Sequence, residues 1–224
     1  MGRRTYYDLI ASLPGLPLRF DVERPPISQH RLNERLQMLE PDDAAVVDQW
    51  TNFVHWDRQL LDRTDDDVAH SYQQLISEIS NSFLLELIRR RMDTRTIIAA
   101  VRRRRAGMSA PTGVGQWIER IQRDYSHPQF QLQTVYPWIG RFDQLVGEGQ
   151  ALEAQRIIFD FNYRELEELA PTDMFSFEAL LIYLARWEII DRWTSLDQAA
   201  GKARFETLIT ETLGEHAHLF EPAE

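Results

Sequence analysis

Apolar residues recur at helical spacing along most of the chain. Tyr72, Ile76, Ile79 and Phe83 are four, three and four residues apart, and the period continues through Leu84, Leu87, Ile88, Ile97, Ile98 and Val101 to Gly107. Such spacings keep side chains on one face of a 3.6-residue helix, so one long helix is expected to begin near Asp67 and stop at that glycine. Leu32, Leu36 and Leu39 form a similar stretch behind Ser28, an N-cap. Val46, Val47, Trp50 and Val54 follow Pro41-Asp42-Asp43, whose proline and acids suit a first turn, and this helix is expected to end near Trp56-Asp57. Further helices are predicted through Trp117, Ile118 and Ile121, through Ala154, Ile157, Ile158 and Phe161, and through Leu180, Tyr183, Leu184, Trp187 and Ile190 behind Ser176. Gly201 should interrupt the last of these before a final apolar face at Phe205, Leu208 and Ile209. Period two appears once. Leu16, Leu18, Phe20 and Val22 alternate with other residues between Pro14-Gly15 and Pro25-Pro26, which predicts a short strand or extended arm. The fold class is therefore mostly α: an antiparallel helical bundle of one or two helical units, with a short extended arm or hairpin near the N-terminus. Residues 1–224 read as a single helical domain. The breaker-rich stretch after Gly107, M-S-A-P-T-G-V-G-Q, would divide units 1–107 and 116–220 at a loop near 108–115.

Composition narrows this picture. Hydrophobic residues at 43% and charged residues at 27% describe a soluble globular chain, and no run of about 18 apolar residues offers a transmembrane helix. The opening M-G-R-R-T-Y-Y-D lacks the apolar core of a signal peptide, and without cysteine there is neither disulfide nor thiolate chemistry, so the expected compartment is the cytoplasm.

Charge changes the picture more. The chain carries 35 acidic and 25 basic residues, yet Phe83 to Gly107 holds eight arginines against only Glu86 and Asp93. On a continuous helix Arg91, Arg95 and Arg102 share the face of Leu84, Leu87, Ile88 and Ile98. An isolated buried charge costs on the order of several kcal/mol. Either the helix breaks at Asp93-Thr94, a candidate N-cap, and Ile97, Ile98 and Val101 open a new face, or the arginines meet carboxylates from this chain or a partner.

Catalytic constellations are scarce. Gly201-Lys202 lacks the flanking residues of a phosphate-binding loop, and the pairs Gly113/Gly115 and Gly147/Gly149 follow no strand pattern. His216 and His218, two apart, face different sides of a helix and have no third ligand nearby. The reading leans away from an enzyme, and no cofactor or metal is expected. Trp50, Trp117 and Trp187 occupy core-like positions, whereas Trp193, at a helix end, reads as an exposed contact. A net charge of −10 opposes a nucleic-acid partner.

Several short motifs carry a family resemblance. Asp93-x-Arg95-x-Ile97-Ile98, followed by Val101-Arg102-x-Arg104 and Gly107, resembles a signature of the stalk-to-rotor connector of V-type and A-type rotary ATPases, the component designated C (d in eukaryotes), with Thr96 at the usual Asn. Tyr183-Leu184-x-Arg186-Trp187-Glu188-Ile189-Ile190 is similar to that family's closing helix. Tyr6-Tyr7-x-Leu9-x-Ala11-Ser12-Leu13-Pro14 and Arg192-Trp193-x-x-Leu196-Asp197-x-x-x-Gly201 resemble a bacterial family encoded beside V-type ATPase genes and treated as a divergent form of that connector. The resemblance implies a non-catalytic, all-helical connector between the central stalk and the membrane rotor ring, supporting ATP-coupled proton or sodium transport. Its partners would be other V/A-type ATPase subunits, and it would be cytoplasmic, peripheral to the inner membrane through those partners. The residues expected in partner contacts or ion pairs are Arg91, Arg95, Arg102, Arg103, Arg104, Arg105 and Trp193. The alternative is a free-standing helical adaptor or regulator that binds an anionic partner through the arginine helix.

Overall fold

The computed structural model describes the backbone of residues 4–54 and 65–216 and the side chains of 4–53 and 66–196. The expected helix end at Trp56-Asp57, His218 and the last residues lie outside them, as do the side chains of Lys202, Phe205, Leu208, Ile209 and His216. Among the described residues the elements are α1 (Tyr7–Ala11), α2 (Gln29–Leu36), α3 (Pro41–Val54), α4 (Asp65–Glu78), α5 (Ser82–Arg105), α6 (Ile118–Arg123), α7 (Ile139–Gly147), α8 (Ala151–Glu168) and α9 (Phe177–His216). The fold is mostly α, as expected. An isolated antiparallel bridge, Thr5 to Ser176, stands in place of a sheet.

Caps explain the boundaries. Ser28 Oγ accepts from Arg31 N at the start of α2, and Ser176 Oγ accepts from Ala179 N in the first turn of α9. The single helix expected from Asp67 onward is two helices, because Asn81 Oδ1 accepts from Leu84 N and starts α5 afresh. At the far end Gly107, at φ +68°, completes a Schellman turn in which its N–H bonds Arg104 O and Met108 N bonds Arg103 O. Gly149, at φ +73°, closes α7 the same way, with bonds to Val146 O and from Gln150 N to Leu145 O. Gly201 does not interrupt α9, whose forty residues run through it for about 60 Å.

The alternating segment 16–22 forms neither strand nor hairpin. Pro17 removes one of its ladder donors, and it lies instead as an irregular arm over α8 and α9. Side chains of those helices satisfy its carbonyls: Tyr183 Oη donates to Pro14 O at 3.0 Å, Tyr163 Oη to Pro17 O at 2.6 Å, and Trp187 Nε1 to Ile27 O at 2.9 Å. Phe20 anchors the arm in a small core with Phe159, Tyr163, Ile189 and Ile190.

Two larger cores meet along α5. Leu84, Leu87, Ile88 and Met92 join a core built with α3, α4 and the first half of α9. Ile97, Ala100 and Val101 join a second, with Ile121, Phe130, Trp138, Phe142 and Ile158. At 100° per residue these two sets lie on nearly opposite faces of one continuous helix. Of the two alternatives for the arginine face, the break at Asp93-Thr94 does not occur: the helix is continuous, and the buried face changes side there. The two cores thus adjoin within α5, and the loop that follows Gly107 folds back onto the helix.

Candidate functional site

Where the buried face changes side, α5 carries three buried polar residues: Asp93, Thr94 and Thr96. The returning loop meets two of them. Asp93 Oδ1 accepts Gln116 N at 2.8 Å, and Thr96 Oγ1 donates to Val114 O at 2.6 Å. This approach needs glycine: Gly115 has φ +133°, and a Cβ there would stand 2.3 Å from Asp93 Oδ1. The other carboxylate oxygen, Oδ2, is buried without a hydrogen bond to a described residue, as is the Trp117 indole N–H. Burial pushes Asp93 up to about 6, against the opposing pull of the Gln116 hydrogen bonds and with a small push from Glu86. Tyr136, which senses the Asp93 charge, is raised chiefly by its own burial.

One turn toward the N-terminus, a cleft opens between α5, α8 and α9. Its cavity is small, about 70 Å³, and open to solvent at the mouth, and Trp50, Leu87, Phe161, Leu166 and Ile189 contribute its apolar walls. Two ion pairs line it. Arg90 reaches Glu165 of α8 at 2.6 Å, and Arg91 reaches Glu188 of α9 at 3.2 Å. Arg192 also approaches Glu188, at 3.7 Å. Thr94 and Asn162 bring polar groups to the same cleft, joined by a long hydrogen bond of 3.5 Å. An apolar cavity with a few convergent polar groups is the usual form of a small-molecule or side-chain binding site.

The arginines expected to act together fall in two places. Arg91 belongs to the cleft, and Arg95 is half-buried one turn further on. At the C-terminal end of α5, Arg104 donates to His127 O and Asp143 and lies 4.8 Å over the Phe130 ring. Arg105 pairs with the same Asp143 at 2.6 Å and packs on Gly147. Arg103 reaches Ser109 O at 2.9 Å, and Arg102 is exposed with no ion pair to a described residue. Trp193 is not an exposed contact: it is half-buried, edge-on to Phe20 at 5.3 Å and to Phe159 at 6.4 Å, and so packs the arm. Of the core-like tryptophans, Trp50 and Trp187 are buried and Trp117 is half-buried against the second core.

Periodicity and motif spacing do not single out Asp93, Thr94, Asn162, Glu165 or Glu188 as site residues. The strongest signal among them is Glu188, a lone acid between Trp187 and Ile189-Ile190 on the buried face of α9, which demands a cation. Among the described residues no group of three metal-ligating side chains occurs, and no helix is long and apolar enough to cross a membrane.

No curated protein and no solved structure matches the chain. One protein-family model does, over residues 55–215, and it is described as "Protein of unknown function (DUF2764)". The matched stretch spans α5, its returning loop and the α8 and α9 partners of its arginines, and by that match the chain belongs to the DUF2764 family.

Proposed function

We propose that the chain is a non-catalytic connector subunit of a V/A-type rotary ATPase, joining the central stalk to the membrane rotor ring in support of ATP-coupled proton or sodium transport. The observation that carries this reading is the use to which the connector-like stretch of α5 is put. Asp93 holds the returning loop, Ile97 and Val101 enter the second core, and Gly107 ends the helix in a Schellman turn. These residues join two cores through one uninterrupted helix, and a part that passes torque needs such a stiff joint. Arg91 and Glu188, drawn from α5 and from the stretch resembling the family's closing helix, tie the two together. The test is affinity isolation of the tagged chain from its native cells, with bound proteins identified by mass spectrometry. Recovery of stalk and rotor-ring subunits is the expected result; recovery of the chain alone overturns the reading.

A second reading, an adaptor for an anionic partner, is favoured by the last turn of α5. There four guanidiniums follow one another along the chain, Arg104 and Arg105 share a single carboxylate, Asp143, and Arg102 projects into solvent. It expects binding to a polyanion that weakens steeply with salt and on substitution of Arg102 to Arg105.

A further inference from the structure

We infer that the cleft between α5, α8 and α9 binds an uncharged amphiphile, a short apolar chain ending in one hydrogen-bonding head such as an alcohol or primary amide. The walls set the first half of that description. Trp50, Leu87, Phe161, Leu166 and Ile189 present carbon to the cavity, so an apolar chain gains by leaving water. The charged groups set the second half. The four that line the cleft are already engaged, Arg90 with Glu165 and Glu86, and Arg91 with Glu188, which Arg192 also approaches, and Glu188 lies almost wholly out of solvent. A ligand with net charge must either break one of these pairs or sit uncompensated beside them, and both are costly where water is scarce. A neutral ligand disturbs neither.

The head group is specified by Thr94 and Asn162. Thr94 is buried, and its hydroxyl reaches the Asn162 carbonyl oxygen only at 3.5 Å, the outer limit of a hydrogen bond. The Asn162 amide N–H groups have no hydrogen bond to a described residue. A single ligand oxygen can accept from that amide, and a hydroxyl or amide N–H can also donate in return. The inference does not depend on the rotary-ATPase reading, since the cleft is built within this chain.

The test compares probes of one chain length and three charges on the full-length protein: 1-hexanol, hexanoate and hexylammonium. Trp50 lines the cleft, so tryptophan emission reports occupancy, and Trp50→Phe identifies the responding indole. Hexanol is expected to bind saturably, with both charged probes at least about tenfold weaker. Ala185→Met, which fills the cleft, should abolish the response. Asn162→Leu, at a half-buried position, should weaken hexanol about fivefold while the melting temperature reports an intact fold. Preferred binding of either charged probe overturns the inference, as does a hexanol response that fails to saturate or that survives both Ala185→Met and Asn162→Leu.

Discussion

The arginines in the two halves of α5 are the same residue type on the same helix, and they do opposite things. Arg90 and Arg91 each have a carboxylate on a facing helix, Glu165 and Glu188, and their pairs are partly or largely removed from solvent. In the last turn Arg104 and Arg105 share one acid, Asp143, Arg103 donates to a carbonyl oxygen, Arg104 adds an aromatic face, and Arg102 meets water. The difference comes from where the buried face lies. At the N-terminal half a guanidinium beside Leu87 and Ile88 adjoins packed helices, so it must be neutralised. At the C-terminal half the core has moved to the opposite side, and Arg102, at the wheel position of Leu84, meets solvent. Helical position alone does not assign a charge to core or surface; the neighbour on that side does.

The comparison breaks most readily at Arg91. Arg91→Ala leaves Glu188 largely buried beside the more distant Arg192, and the expected loss is roughly 3–5 kcal/mol in urea unfolding. The double change Arg91→Met with Glu188→Leu should recover most of it, and failure to recover would mean that the pair contributes more than mutual neutralisation.

Between the two groups, Asp93 gives a pH dependence whose sign is fixed. Its folded pKa is raised from 3.8 to about 6, so the folded chain holds its proton more tightly than the unfolded one. The stability gained from that proton is fully present below about pH 3.8 and is lost as pH rises through about 6, at most about 3 kcal/mol. Asp93→Asn should remove this loss, so the difference between variant and native chain should grow from pH 4 to pH 7 in paired unfolding curves. A constant difference would place Asp93 in ordinary solvent.

Gly115→Ala sharpens the same region. The new methyl group would collide with Asp93 at a backbone angle that disfavours side chains, for an expected cost of about 2 kcal/mol in thermal unfolding. An unchanged melt would mean that the loop does not rest on α5. The smallest effect belongs to the exposed end, where Arg102→Ala should change stability by less than about 0.5 kcal/mol. Its sensitive readout is the salt dependence of polyanion binding, which should become shallower if the adaptor reading holds.

Much of the helical order is legible because capping and termination are local. Ser28, Gly107 and Ser176 mark boundaries through bonds to residues within a few positions, Pro41 does so through its fixed φ in the first turn, and these appear where expected. Asn81 and Gly149 carry equally local signals that apolar periodicity does not weigh, and α7 escapes the same reading although its Ile139, Phe142 and Leu145 are spaced three apart and all buried. The candidate site is much less legible. Nothing near Asp93 in sequence announces that it will be desolvated, because that depends on a loop returning some twenty residues later to pack on it.

Period, caps and charge are properties of neighbours along the backbone, so a helical, acidic chain with a cationic rod follows from the order of its residues. Folding was needed for the rest: the rod stays unbroken while its buried face changes side, and Glu188 and Glu165 rather than solvent receive Arg91 and Arg90. Ion pairing and desolvation there depend on residues 75 to 97 positions apart, and only the folded chain brings them within a few ångströms.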